Sequence, residues 1–86
     1  MKIQIEVEDW VVSQIDELKE TTGSADYKEL FNNALAILRW ATEQRVAGRS
    51  VASIDEQGRE FLRLRMPALE YAAFISGQLL PNLKAA

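Results

Sequence analysis

Lys2, Gln4 and Glu6 stand at every second position. An extended chain therefore sets an ammonium, a carboxamide and a carboxylate side by side on one face. Ile3, Ile5 and Val7 fill the positions between them and belong to the opposite face. These groups suit recognition through hydrogen bonds and charge. Catalytic chemistry has little to draw on. The chain has no cysteine, hence no thiolate nucleophile, disulfide or cysteine-ligated metal. It has no histidine either, which removes the commonest general base and metal ligand. Asp16, Glu17 and Glu20 fall on a helix face expected to be solvated, and nothing gathers a pocket around them. Asp55-Glu56-Gln57-Gly58 contains part of a calcium loop but lacks the other ligands and the distal glutamate. The expectation is a protein that is not an enzyme and uses no metal or cofactor.

The alternating segment must itself be positioned. One short strand cannot satisfy its own backbone donors and acceptors. It pairs either with a segment far downstream in its own chain or with the same strand of a second chain. Eighty-six residues make one domain, and such a chain buries only about 60–65% of its unfolded surface. A partner subunit would thicken that thin core.

Two helical patterns follow the strand. The first opens at Glu8 or Asp9, sets Val11, Ile15, Leu18 and Thr22 on one stripe, and ends at Thr21-Thr22-Gly23. Asp16, Glu17, Lys19 and Glu20 lie off that stripe and should be solvated. The second begins at a capping box, Asp26 at the N-cap and Glu29 reaching back, with Ala25 and Leu30 as a staple. Leu30, Phe31, Ala34, Leu35, Leu38 and Ala41, with Ile37, give it an apolar face nearly half its circumference wide. Such a helix touches more than one neighbour. It should run to about Val46, where Gly48 stops it. Trp40 lies outside that face and needs cover, which the C-terminal segment is expected to supply.

Residues 49–66 read as a hairpin, with Arg49 to Ile54 strand-like, a turn at Asp55–Gly58, and alternation from Arg59 to Met66. Leu62, Leu64 and Met66 share one face; Phe61, Arg63 and Arg65 share the other. Pro67 starts a short helix over residues 68–80, with Leu69, Ala72, Ala73, Ile75, Leu79 and Leu80 on one arc. Phe74 and Tyr71 fall off that arc. The expected fold is mainly α with short β. Residues 1–48 form one unit, and residues 49–86 a hairpin-helix extension packed on the same single domain.

Net charge is −3, spread unevenly: residues 1–48 hold five basic against nine acidic side chains, residues 49–86 five against four. A global basic footprint is missing, which counts against nucleic-acid binding. The apolar run Ala34–Leu38 ends at Arg39, far too short to span a bilayer, and the N-terminus lacks a signal-peptide pattern. A cytoplasmic protein without membrane contact is expected.

Ile3-Gln4-Ile5-Glu6-Val7, Ile15-Asp16-Glu17-Leu18 with Thr22-Gly23, and Asn33-Ala34-Leu35 inside a helix together resemble the ribbon-helix-helix superfamily, the Arc- and MetJ-type repressors. The resemblance covers residues 1 to about 46. It implies a homodimer whose N-terminal strands pair into an antiparallel ribbon over interlocked helices. Ile3, Ile5 and Val7, with Phe31, Leu35 and Leu38, would then form the dimer core. Lys2, Gln4 and Glu6 would face the major groove of double-stranded DNA. There Lys2 could donate to guanine, Gln4 pair with adenine and Glu6 accept from cytosine. The family also holds a backbone phosphate at the start of its second helix, here Ala25 to Lys28. Asp26 departs from that pattern, because its carboxylate competes for the amides.

Two functions follow. One is a homodimeric DNA-binding transcriptional regulator, antitoxin-like, with residues 49–86 as a partner-binding module. The other is a ribbon-helix-helix dimer that binds no DNA and acts as a protein-interaction module, with Lys2, Gln4 and Glu6 a solvated strand face. In that second case Arg59, Arg63 and Arg65 would meet an acidic partner, and Leu79 and Leu80 would add apolar contact.

Overall fold

Glycine and capping side chains set the helix ends. The computed structural model describes residues 1–79, and the side chains of residues 1–77. Its elements are α1 (Asp9–Thr21), α2 (Tyr27–Val46), β1 (Ala52–Ile54), β2 (Phe61–Arg63) and α3 (Pro67–Leu79). The protein is thus mainly α with a two-stranded antiparallel sheet. Residues 80–86, Leu80 among them, lie outside the described residues.

Helices α1 and α2 end alike. After α1, Gly23 (φ +67°) donates to the Glu20 carbonyl and Ser24 to that of Lys19. After α2, Gly48 (φ +86°) donates to Arg45 and Arg49 to Gln44. These are Schellman closures, which need a left-handed residue that only glycine supplies without strain. Thr22 Oγ1 adds a bond to the Leu18 carbonyl at 2.8 Å and pairs with the buried Ser24 hydroxyl at 2.7 Å.

The chain divides into two compact units, Met1–Leu35 and Ala36–Ala86, with the boundary inside α2. In the first, Leu30 is the one buried apolar side chain among the described residues, and α1 buries none. Val11 and Ile15 are half-buried as their stripe predicts. Leu18 stays open, and Lys19, expected in solvent, is half-buried instead. Its ammonium lies 4.9 Å from the centre of the Tyr27 ring, a cation–π arrangement.

In the second unit Leu69 is wholly buried, with Ala41, Ala73 and Ser76. Leu69, Ala73 and Ser76 recur at i, i+4 and i+7, one face of α3. Ser76 was absent from the predicted arc because hydroxyls carry no apolar signal. Arg45 reaches Glu70 on α3 at 3.5 Å and the Arg49 carbonyl at 3.0 Å. Tyr71 and Phe74 are both exposed, as is about half of Trp40, so the cover expected for that indole is incomplete.

The hairpin is shorter than its alternation suggested. The ladder pairs Ala52 with Arg63, Ser53 with Leu62 and Ile54 with Phe61, and one bond beyond joins the Leu64 amide to the Val51 carbonyl at 2.8 Å. Asp55 closes the turn, its Oδ1 accepting from the amides of Arg59 and Glu60. The sheet holds two strands, so residues 3–7 are not its third.

Candidate functional site

Residues 1–8 form neither helix nor ladder, and Glu8 meets α1 in extended conformation (φ −69°, ψ 155°). A strand is defined by its partner, and this segment has none within the described chain. Ile3, Ile5 and Val7 line one wall of an open groove of about 910 Å³ in the N-terminal unit. Val12, Ile15 and Leu18 of α1 form another wall, and Leu30 and Phe31 of α2 contribute a third. Ile3 is 67%, Ile5 69% and Phe31 48% exposed, so the single chain leaves this apolar surface uncovered. Leu35 and Leu38, further along α2, lie outside the groove's lining but are open as well. Contiguous exposed apolar surfaces of this kind occur at interaction sites and at ligand-binding grooves.

Lys2, Gln4 and Glu6 alternate with the groove-lining residues. They are exposed and make no hydrogen bond among the described residues. Lys28, also exposed, belongs to the groove's rim in the first turn of α2.

The start of α2 is closed by its own side chains. Asp26 Oδ1 accepts from the Glu29 amide at 2.8 Å, and Glu29 Oε2 accepts from the Ala25 amide at 2.9 Å. The predicted box thus forms, with its return arm on Ala25. Two carboxylates therefore sit where a helix N-terminus would otherwise attract an anion. The whole unit shares that sign: residues 1–35 hold three lysines against eight acids.

Two polar contacts were not foreseen. The Tyr27 hydroxyl donates to Asp16 Oδ1, and the Trp10 indole donates to Glu8. Asp16 and Tyr27 lie 11 residues apart across the Gly23 turn, a distance no periodicity rule spans. The Tyr27 pKa is raised, first by that hydrogen bond and then by the carboxylate's charge.

Arg59, Arg63 and Arg65 are exposed on the hairpin, remote in sequence from this groove. Leu79 closes α3, its side chain lying with Leu80 outside the described residues. No cluster of three or more His, Cys, Asp or Glu that could hold a metal occurs among the described residues. None of their helices is long and apolar enough to cross a membrane. The chain matches no family model, no curated protein and no solved structure.

Proposed function

We propose that the chain is a homodimeric ribbon-helix-helix regulator that reads double-stranded DNA with Lys2, Gln4 and Glu6. One observation carries this reading. An unpaired segment with strand alternation turns Ile3, Ile5 and Val7 into an apolar groove shared with α1 and α2. Antiparallel pairing with a second copy would satisfy its backbone and cover the groove in one step. Lys2, Gln4 and Glu6 then form the outward face of a ribbon sized for a major groove. Lys28, in the first turn of α2 and among the residues lining the same groove, would add a phosphate contact. Residues 49–86 would extend this dimer as a partner-binding module in an antitoxin-like regulator.

The test is titration of duplex DNA from upstream of the protein's own gene beside a scrambled duplex, at low and moderate salt. The regulator prefers its own sequence, and its affinity falls steeply with salt. Gln4→Ala then weakens specific binding by about 1–3 kcal/mol while leaving scrambled DNA unaffected. Equal affinity for both duplexes, before and after that change, overturns base reading.

The self-capped start of α2 and the acidic first unit favour a second reading, a dimer that binds no DNA and serves protein interaction. Absence of binding even at low salt, with the dimer intact, selects it.

A further inference from the structure

The arginines divide by what holds them. Arg45 is tied to Arg49 and Glu70, and Arg49 to the Gln44 side chain. Among the described residues, Arg59, Arg63 and Arg65 on the hairpin form no ion pair and no side-chain hydrogen bond. Strand register puts Arg63 across from Ala52 and Phe61 across from Ile54. Alternation sets these four on one face, with Arg65 two positions further, while Glu60 falls on the opposite face with Leu62 and Leu64. That first face is cationic and apolar, with Ile54 63% and Phe61 64% exposed.

Its backbone is open too. Bonds from Leu64 to Val51 and from Asp55 to Glu60 mark the hydrogen-bonded pairs. Ala52–Arg63 and Ile54–Phe61 are therefore the non-bonded pairs, whose amides and carbonyls point away from the partner strand. Phe61 and Arg63 thus present free backbone groups along the outer edge of β2. A two-stranded hairpin gains most of its stability from a further strand or a packed face.

We propose that the outer edge of β2 receives an extended acidic segment of a partner protein as a third strand. Alternating residues of that segment place carboxylates beside Arg63 and Arg65 and apolar side chains beside Leu62 and Leu64. Backbone pairing supplies affinity, and the side-chain pattern supplies selection. Duplex DNA would meet the arginines but leave the exposed Leu62 and Leu64 in water, so the apolar content of this edge favours protein. Lys2, Gln4 and Glu6 take no part, which places this surface beyond the DNA-reading role.

The probe is a fluorescent octapeptide of alternating valine and glutamate, followed by anisotropy against the full chain. A valine–lysine octapeptide and a duplex DNA run beside it. The glutamate peptide binds at least about tenfold more tightly than the lysine peptide, and the R63E/R65E double variant loses that preference. The variant keeps the parent's circular dichroism, melting and self-association, because both side chains are exposed. Failure to bind the glutamate peptide, equal binding of both peptides, or an unchanged variant overturns the assignment. So does loss of DNA retention in the variant, which gives the arginines to phosphate. Loss of its self-association gives the edge to a second copy. A chain that ignores DNA and still takes the peptide keeps this surface while losing the DNA reading.

Discussion

The hydroxyl of Tyr27, first residue of α2, donates a hydrogen bond to Asp16 in the middle of α1. Lys19 lies over the same ring, so one largely exposed aromatic side chain joins both helices of a unit in which, among the described residues, only Leu30 and Ser24 are buried. The bond favours the neutral phenol and raises its pKa above the ordinary tyrosine value of about 10. A folded-state pKa above the unfolded one stabilises the fold fully below about pH 10. That contribution is lost as pH rises through the folded value. In a Tyr71→Phe background, tyrosinate absorbance reports Tyr27 alone, and Asp16→Asn should shift its ionisation to lower pH. An unchanged titration would show that the bond does not persist in solution.

The cap at α2 separates stability from charge. Asp26→Ala removes the acceptor of the Glu29 amide and should cost about 1 kcal/mol in urea unfolding. Asp26→Ser retains an acceptor while deleting a negative charge. It should stay near parental stability and, if α2 meets a phosphate, bind DNA more tightly at low salt.

Leu69 has no exposed surface and anchors the second unit. Leu69→Ala should lower stability by about 2–5 kcal/mol, the range for a buried leucine whose site cannot fully collapse. Melting at one fixed protein concentration checks this, since association would also shift the midpoint. A loss below about 1 kcal/mol would mean that the site relaxes around the smaller side chain.

Phe31 tests the dimer. It lines the groove yet is 48% exposed, so an isolated chain should tolerate Phe31→Glu. In a dimer that buries the groove, the same change sets a carboxylate in apolar surroundings. Sedimentation equilibrium should then report a monomer for the variant and a dimer for the parent, with the parent's concentration-dependent melting abolished. Identical masses and melting curves would remove Phe31 from any interface.

Local signals carried the elements. Asp26 and Glu29 marked the start of α2, Gly23 and Gly48 the helix ends, Pro67 the start of α3 and Asp55–Gly58 the turn. Each depends on a side chain acting on backbone within a few residues, so order along the chain is enough to find it. The apolar face of α2 was legible as a pattern but not as burial: Leu30 and Ala41 are covered, whereas Phe31, Leu35 and Ile37 are open.

What the sequence determined by itself was the succession of helix, helix, hairpin and helix and the residue types at hand, with neither cysteine nor histidine among them; the strand that alternation predicts at residues 3–7 does not form in the single chain. What only the tertiary structure decided was which distant groups meet. It joined Asp16 to Tyr27 across a glycine turn and Arg45 to Glu70 across the hairpin. It also gathered Ile3, Ile5 and Val7 into one groove with Phe31. Capping and periodicity act through neighbours in the chain, and sequence records neighbours. Ion pairs, buried faces and grooves depend on how helices are placed after the turns, where small backbone rotations move side chains by many ångströms.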